Sequence, residues 1–283
     1  MRTSAENRTV TLPSGDSVVA LGQGTWGMGE DGPRHAAEVT ALRLGLDLGM
    51  KLIDTAEMYG DGRAEEVVGE AIGGRRDDVF LVSKVLPHHA TRRGTVAACR
   101  ASLTRLRTDR IDLYLLHWRE RVPLAETIEA FQSLVRSGDI RHWGVSNFDA
   151  DDLRELVELV GGRAVAAHQV RYNLARRGIA VDLLPWCGDR QIPVMAYSPI
   201  EQGRLLDKAT VRRVAARRNA TAAQIGIAWI LRHPGVITIP KATSPEHVRE
   251  NREALDVRLT QEDLDELDRT FPPPARKVPL EML

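Results

Sequence analysis

Residues 51–72 read KLIDTAEMYGDGRAEEVVGEAI. A short apolar run, Leu52-Ile53, ends on the carboxylate of Asp54; a turn rich in glycine follows Tyr59, and a segment of helical spacing begins near Arg63. Apolar continuity over so few residues suits a strand covered on both faces, and the helical segment behind it supplies one of the covers. The same unit recurs along the chain. Strands are expected at 18–23, 51–56, 79–84, 111–118, 140–146, 164–170, 192–198 and 236–241, each followed by a helical pattern.

Eight strand–helix units in about 250 residues predict an α/β fold, a (β/α)8 TIM barrel. A doubly wound open sheet is the alternative, and in both folds chemistry belongs at the C-terminal ends of the strands. Ahead of the first strand, RTVTLPSGDSVV (8–19) reads as a β-hairpin turning at Ser14-Gly15-Asp16. No linker or low-complexity tract interrupts the 283 residues, so 1–283 is expected to form a single barrel domain. Helix punctuation agrees. Pro33 and Gly49 bracket a first helix with Ala37, Ala41, Leu44 and Leu48 on its apolar face. Ser244-Pro245 opens a helix running through Asn251, and Thr260 precedes an acidic first turn.

Composition excludes several function classes. Lys and Arg total 39, as do Asp and Glu, and a net charge of zero argues against a general nucleic-acid or membrane-surface binder. No run approaches the roughly 18–20 apolar residues of a membrane span, and MRTSAENRTV carries no leader-like stretch. Cys99 and Cys187 are too few for a disulfide framework or a zinc site, so buried thiols of a cytoplasmic protein are expected. Only five of the 39 basic residues are lysines: Lys51, Lys84, Lys208, Lys241 and Lys277. Each raises the question of why arginine would not serve.

Gly22-Gln-Gly-Thr-Trp-Gly27 matches G-x-G-x-x-G, with Asp54 placed like a ribose-binding acid. A dinucleotide fingerprint needs its helix to start within the glycines, so that the N-terminus meets the pyrophosphate. Here Met28 to Pro33 intervene and Trp26 fills the turn, so the match is rejected.

The strand ends are polar: Asp54, Lys84, His117, Ser146 with Asn147, Gln169, Tyr197 with Ser198, and Lys241. Barrel interiors favour Val, Ile and Leu, so packing does not ask for this ring. Tyr59 lies five residues beyond Asp54. A lysine beside the tyrosine hydroxyl is expected to lower its pKa, and a carboxylate would keep the lysine charged and in place. A neutral histidine can polarise a carbonyl oxygen. Asp54, Tyr59, Lys84 and His117 are therefore machinery for protonating an oxygen as a carbonyl is reduced.

The segment 52–72, with VSK (82–84), LLHW (115–118), GVSNF (144–148), AYSPI (196–200) and IPKATSPEHVREN (239–251), resembles the aldo-keto reductase family. The resemblance runs from Gly22 to Asn251 in the family's order. It implies a TIM barrel of NADPH-dependent carbonyl reductases with Asp54, Tyr59, Lys84 and His117 as catalytic tetrad. It places Ser146, Asn147 and Gln169 on the nicotinamide carboxamide, Tyr197 stacked on the nicotinamide ring, and Ser198, Pro199, Ile200, Gln202 and Gly203 over the pyrophosphate. Gly24, Thr25, Trp26 and Asp54 join the cofactor contacts, and Trp26, Tyr59, His117 and Trp118 wall the substrate pocket. Lys241, Ala242, Thr243, Ser244 and His247 would take the adenosine 2′-phosphate, and Glu250 and Asn251 the adenine. Many relatives carry arginine where this chain has His247 and serine where it has Ala242, so NADPH is expected with NADH as a weaker second cofactor.

The connection after Trp118 (119–127) and the tail (272–283) are short, which suits small aldehydes, 2-oxoaldehydes or ketones, as in bacterial methylglyoxal-type members. One of His88 and His89 could face the pocket; His35, His142 and His233 are expected at the surface or in structural roles, and His168 on the face opposite Gln169. No metal is expected, and no partner beyond the small carbonyl substrate; a monomer is the default. Two rivals stand: a non-catalytic NADPH-binding regulatory barrel, and a metal-dependent hydrolase built on His117, His168, Lys84 and Asp54.

Overall fold

The computed structural model describes residues 8–283. The leader reading and the start of the expected domain span fall on residues 1–7, outside the described residues.

β1 (Thr9–Thr11) and β2 (Ser17–Val19) form the antiparallel hairpin, with Gly15 N–H donating to Leu12 O at 2.9 Å across its turn. Eight parallel strands follow: β3 (Gln23–Gly24), β4 (Leu52–Asp54), β5 (Phe80–Val85), β6 (Ile111–Leu116), β7 (Ile140–Ser146), β8 (His168–Arg171), β9 (Val194–Tyr197) and β10 (Val236–Thr238). They pair in chain order from β3 to β10. The ring closes where Thr238 N–H donates to Ala20 O at 2.8 Å, Gly22 N–H to Thr238 O at 2.9 Å and Gly24 N–H to Pro240 O at 3.1 Å. Closure makes this a barrel, and the open-sheet alternative falls.

Closure also explains the glycines. A Cβ on Gly24 would stand 2.6 Å from Ile239 O, and one on Gly22 2.5 Å from Leu52 Cδ2. The G-x-G spacing serves close strand approach, while the first α-helix starts only at His35.

Helices α1 (His35–Asp47), α2 (Arg63–Ala71), α3 (Arg92–Leu106), α4 (Leu124–Ser137), α5 (Ala150–Glu158), α6 (Leu183–Asp189), α7 (Ala209–Arg218), α8 (Ala222–Leu231), α9 (Pro245–Glu253) and α10 (Gln261–Thr270) clothe the barrel. Ser244 caps α9 through the His247 N–H, and Thr260 forms a capping box with Asp263. Each such cap stabilises its helix by about 1 kcal/mol.

Several sequence expectations shift. The expected first strand at 18–23 divides: Val18 and Val19 belong to the hairpin, whose buried side closes the barrel floor, and only Gln23–Gly24 enters the barrel. The strand expected at 164–170 begins at His168, because Gly162–Ala164 is a tight helical turn. On α1 the buried face is Glu38, Val39, Ala41, Leu42, Gly45 and Leu46; Ala37 is exposed. Glu38 turns inward because its carboxylate accepts the Gly29 N–H at 2.9 Å, which rotates the face from the apolar count.

The barrel lumen is layered. Leu52, Val82, Leu113, Met195 and Ile237 share a buried cluster with Val10, Leu12 and Val18 of the hairpin segment. Register partners on parallel strands point to the same side, and Ser146 aligns with Gln169, Gln169 with Met195, and Arg171 with Tyr197. The apolar layer therefore gives way to a polar one toward the strand C-termini.

Candidate active site

Asp54 ends β4 and Lys84 lies near the end of β5, both facing the upper lumen. The Lys84 Nζ donates to Asp54 Oδ2 at 2.8 Å, to the Thr55 carbonyl at 2.8 Å and to Tyr59 Oη at 3.2 Å. Lys84 has no exposed surface at all, so a buried ammonium is satisfied by three oxygens. The second Asp54 oxygen accepts from Gln169 Nε2 at 2.7 Å, and Thr25 Oγ1 donates to the Asp54 carbonyl at 3.0 Å.

Tyr59 sits on the turn after β4, where Gly60, Asp61 and Gly62 all take left-handed backbone. That turn points the phenol back over the lumen. Its position is secured by Glu57, whose carboxylate accepts the Leu86 N–H at 2.7 Å and lies 3.0 Å from His89 Nδ1. His89 thus serves the turn rather than facing the pocket, and His88 is exposed.

Electrostatics separate the three groups. Burial opposes the charge on Lys84, yet Asp54 and Tyr59 outweigh it and hold the ammonium above its ordinary range. For Tyr59 burial is the larger influence and raises the phenol, with Lys84 acting against it. The expectation that the lysine would leave a lowered tyrosine is corrected by this desolvation: the phenol keeps its proton. His117, just past β6, is pushed down to about 2 by burial and by Lys84, so its imidazole is neutral. The rings of Tyr59 and His117 meet edge-on at 5.8 Å, and Trp118 lies 4.9 Å from His117.

A second chain of contacts runs from His117. Asn147 Nδ2 donates to the His117 carbonyl at 3.1 Å and to Ser146 Oγ at 3.2 Å, while Asn147 Oδ1 accepts from Tyr197 Oη at 2.9 Å. Asn147 holds positive φ to make this turn. Asp54, Tyr59, Lys84, His117, Ser146, Asn147, Gln169 and Tyr197 are thus gathered at one end of the lumen. Trp26 is 55% exposed, which leaves its ring at the barrel mouth.

The other expected positions ring this centre. Ser198, Pro199, Ile200, Gln202 and Gly203 follow β9; Ser198 and Gln202 have positive φ, and the Ser198 hydroxyl is buried without a partner. Lys241, Ala242, Thr243 and Ser244 link β10 to α9. Lys241 and His247 are exposed, Glu250 is half-buried, and Asn251 is buried. His168 turns away from Asp54 and accepts the Phe148 N–H at 3.3 Å, so the hydrolase set of His117, His168, Lys84 and Asp54 does not converge.

Four residues absent from the sequence reading matter here. Glu57 holds the Tyr59 turn. Glu201, buried inside the loop after β9, is bound by Arg171 and Asn173. For Glu57 the signal was its place two residues before Tyr59; for the others no local signal exists.

The Aldo/keto reductase family model matches residues 20–271. The chain belongs to the aldo/keto reductase family. It is 51% identical over 276 residues to the methylglyoxal reductase YeaE of Escherichia coli (strain K12), covering 95% of this chain and 97% of that one. It is 35% identical to the glyoxal reductase of Bacillus subtilis (strain 168), over 92% of this chain and 91% of that one. Among solved structures, an aldo/keto reductase from Klebsiella pneumoniae in complex with NADP and acetate superposes with a TM-score of 0.96 at 51% identity, covering 98% of this chain and all of that one. The chain is therefore an oxidoreductase of this family, built on the family's barrel.

Proposed function

We propose that this protein is an NADPH-dependent reductase of small aldehydes, 2-oxoaldehydes or ketones, with Tyr59 as general acid. The observation that carries the reading is Lys84 Nζ, without exposed surface and bound at once to Asp54 and to the hydroxyl of the half-buried Tyr59. The relatives that reduce methylglyoxal and glyoxal, and the neighbour crystallised with NADP, support the same substrate class and cofactor.

The residues fit the cofactor. Ser198 has an orphaned buried hydroxyl in the loop after β9, and Lys241 has no carboxylate partner among the described residues. Tyr197 would carry the nicotinamide ring, Ser146, Asn147 and Gln169 its carboxamide, and Ser198 to Gly203 the pyrophosphate. Lys241, Thr243, Ser244 and His247, at the start of α9, would hold the 2′-phosphate, a favourable place for an anion. When bound, NADPH supplies a hydride to the carbonyl carbon. Tyr59 gives its proton to the carbonyl oxygen, and the product is an alcohol. Burial keeps Tyr59 a phenol until a substrate oxygen arrives, and Lys84 then stabilises the phenolate that the transfer leaves. Neutral His117 donates a hydrogen bond to the same oxygen without competing for the proton. Trp26 and Trp118 flank the opening and suit small, weakly polar substrates. The reading carries with it a cytoplasmic monomer, in keeping with the buried free thiols Cys99 and Cys187.

The test is Tyr59→Phe, assayed by the absorbance of the reduced cofactor with methylglyoxal. Removing a positioned proton donor should lower kcat by about 10²–10⁴-fold while NADPH still binds. Unchanged kcat would refute Tyr59 as the acid, and a wild-type protein that binds no NADPH would refute the cofactor.

A further inference from the structure

The loop Ser198–Gly203 is held in an unfavourable backbone. Ser198, Glu201 and Gln202 all have φ between 53° and 56°, a region that costs non-glycine residues energy unless their surroundings impose it. What imposes it is a buried polar cluster. Asn173 Nδ2 donates to the Ser198 carbonyl at 2.8 Å and to Glu201 Oε2 at 2.6 Å, gripping both ends of the strained stretch. Glu201 Oε1 accepts from Arg171, from Arg176 Nε at 3.1 Å and from Arg204 at 3.3 Å. Burial opposes this charge, but Asn173, Arg176 and Arg171 together hold the carboxyl below its ordinary range.

The same arginines reach a third element, the C-terminal tail. Arg171 Nη1 donates to the Met282 carbonyl at 3.1 Å, and Arg176 Nη1 pairs with Glu281 at 2.6 Å. Lys277 anchors the tail on Asp151 at 2.9 Å and Asp182 at 3.6 Å. Arg171 lies on β8 in register with Tyr197, so the cluster and the expected nicotinamide platform share one face.

We propose that Glu201 is a positioning residue that joins the Ser198–Gly203 loop, the end of β8 and the tail 276–283 into one unit, so that seating of the tail and affinity for NADPH are energetically coupled. The proposal rests on the NADPH reading above. Because coupling is reciprocal, a cofactor that fixes the loop must also fix the tail, and a loosened tail must weaken the cofactor. Glu201 touches neither substrate nor reacting atoms; it acts through the loop and through Arg171.

The experiment first titrates NADPH into the wild-type protein by tryptophan fluorescence; no binding would remove the cofactor reading and this proposal with it. With binding in hand, hydrogen exchange of the tail amides is compared with and without NADPH, in wild type and in Glu201→Gln. The expected result is slower tail exchange on NADPH binding in wild type, and loss of that protection in the variant. KM for NADPH should rise about tenfold or more in Glu201→Gln, the scale of one charge-assisted hydrogen bond, with a smaller change in kcat at saturating cofactor. Glu281→Ala, on a half-exposed side chain, should raise KM for NADPH by a smaller factor, and the double variant should be no worse than Glu201→Gln alone. If Glu201→Gln does not fold, Glu281→Ala and Arg176→Ala carry the same comparison. Wild-type tail amides indifferent to NADPH, or variants with unaltered KM and tail exchange, or additive effects in the double variant, would overturn the coupling.

Discussion

Replacing Asp54 with asparagine tests the buried pair most directly. In the wild type the Lys84 ammonium, without exposed surface, is balanced by Asp54 at 2.8 Å, and Gln169 donates to the other carboxylate oxygen at 2.7 Å. Asparagine keeps an oxygen for Lys84 but turns an N–H₂ toward the Gln169 N–H₂. Rotating the Gln169 amide relieves that clash, so the main loss is charge. Breaking a buried pair on one side costs about 3–5 kcal/mol, because the remaining ion is left uncompensated. The pH dependence gives the sharper signature. In the wild type Lys84 is held above its ordinary range, so its contribution is complete below about pH 10, the unfolded lysine value, and is lost only above that. In the variant burial persists without its counterion, so the folded state releases the proton earlier than the unfolded chain does. The unfolded chain then binds more protons, and stability rises with pH. Urea unfolding at pH 7 and 9.5 should show a variant deficit, taken against the wild type at the same pH, that shrinks at the higher pH; the buried Cys99 and Cys187 thiols, pushed up to about 12, weaken both chains alike as pH rises. A loss under about 1 kcal/mol, equal at both pH values, would refute the account of Lys84 as an ammonium dependent on Asp54.

Further outcomes follow from the same geometry. His117 and His168 are held by burial at about 2 and about 3, so below about pH 6.5 only the unfolded chain takes up their protons; between pH 7 and 5 the two should cost about 4 kcal/mol. Urea midpoints at the two pH values check this, and a His168→Gln variant with an undiminished acid loss would contradict it. At the phosphate site, His247→Ala should raise KM for NADPH more than KM for NADH, because only NADPH carries the 2′-phosphate; equal responses would remove His247 from that role. Lys84→Arg should destabilise the fold by about 3 kcal/mol or more, through overpacking and N–H groups left unpaired, and lose most activity. Retention of kcat within about threefold would show that any cation serves beside Tyr59.

The barrel was legible because strands buried on both faces leave short apolar runs, and the polar residues that interrupt them at the C-terminal ends stand out. Asp54 and Lys84 were visible for that reason, and Tyr59 through its distance from Asp54. What stayed hidden depends on contacts between distant segments. Arg171, Arg176, Glu201 and Glu281 are ordinary charges in the sequence, and only the fold brings Arg176 to Glu281 across more than a hundred residues. Val18 and Val19 have the composition of a barrel strand, yet pairing with Val10 and Thr9 claims them for the hairpin. The direction in which Tyr59 shifts was misread because the adjacent charge is local information, whereas desolvation is set by every element around the turn.

The shortage of lysine now has a geometric explanation at one position. At Arg76 and Arg119 the acceptors are spread out, and a guanidinium fork reaches them. Arg76 spans Thr108, the Val79 and Arg110 carbonyls and Asp112, and Arg119 takes both oxygens of Glu155. Around Lys84 the three acceptors, a carboxylate oxygen, a carbonyl and a phenol, instead converge on a single nitrogen. A compact ammonium with three donors matches that arrangement; a planar fork would leave at least two N–H groups buried and unpaired, each costing about 1–3 kcal/mol. The convergence matters for chemistry as well as for stability. Because one nitrogen contacts both Asp54 and Tyr59, any negative charge that develops on the phenol is met by a cation already held in place, and no side chain has to move when the proton leaves.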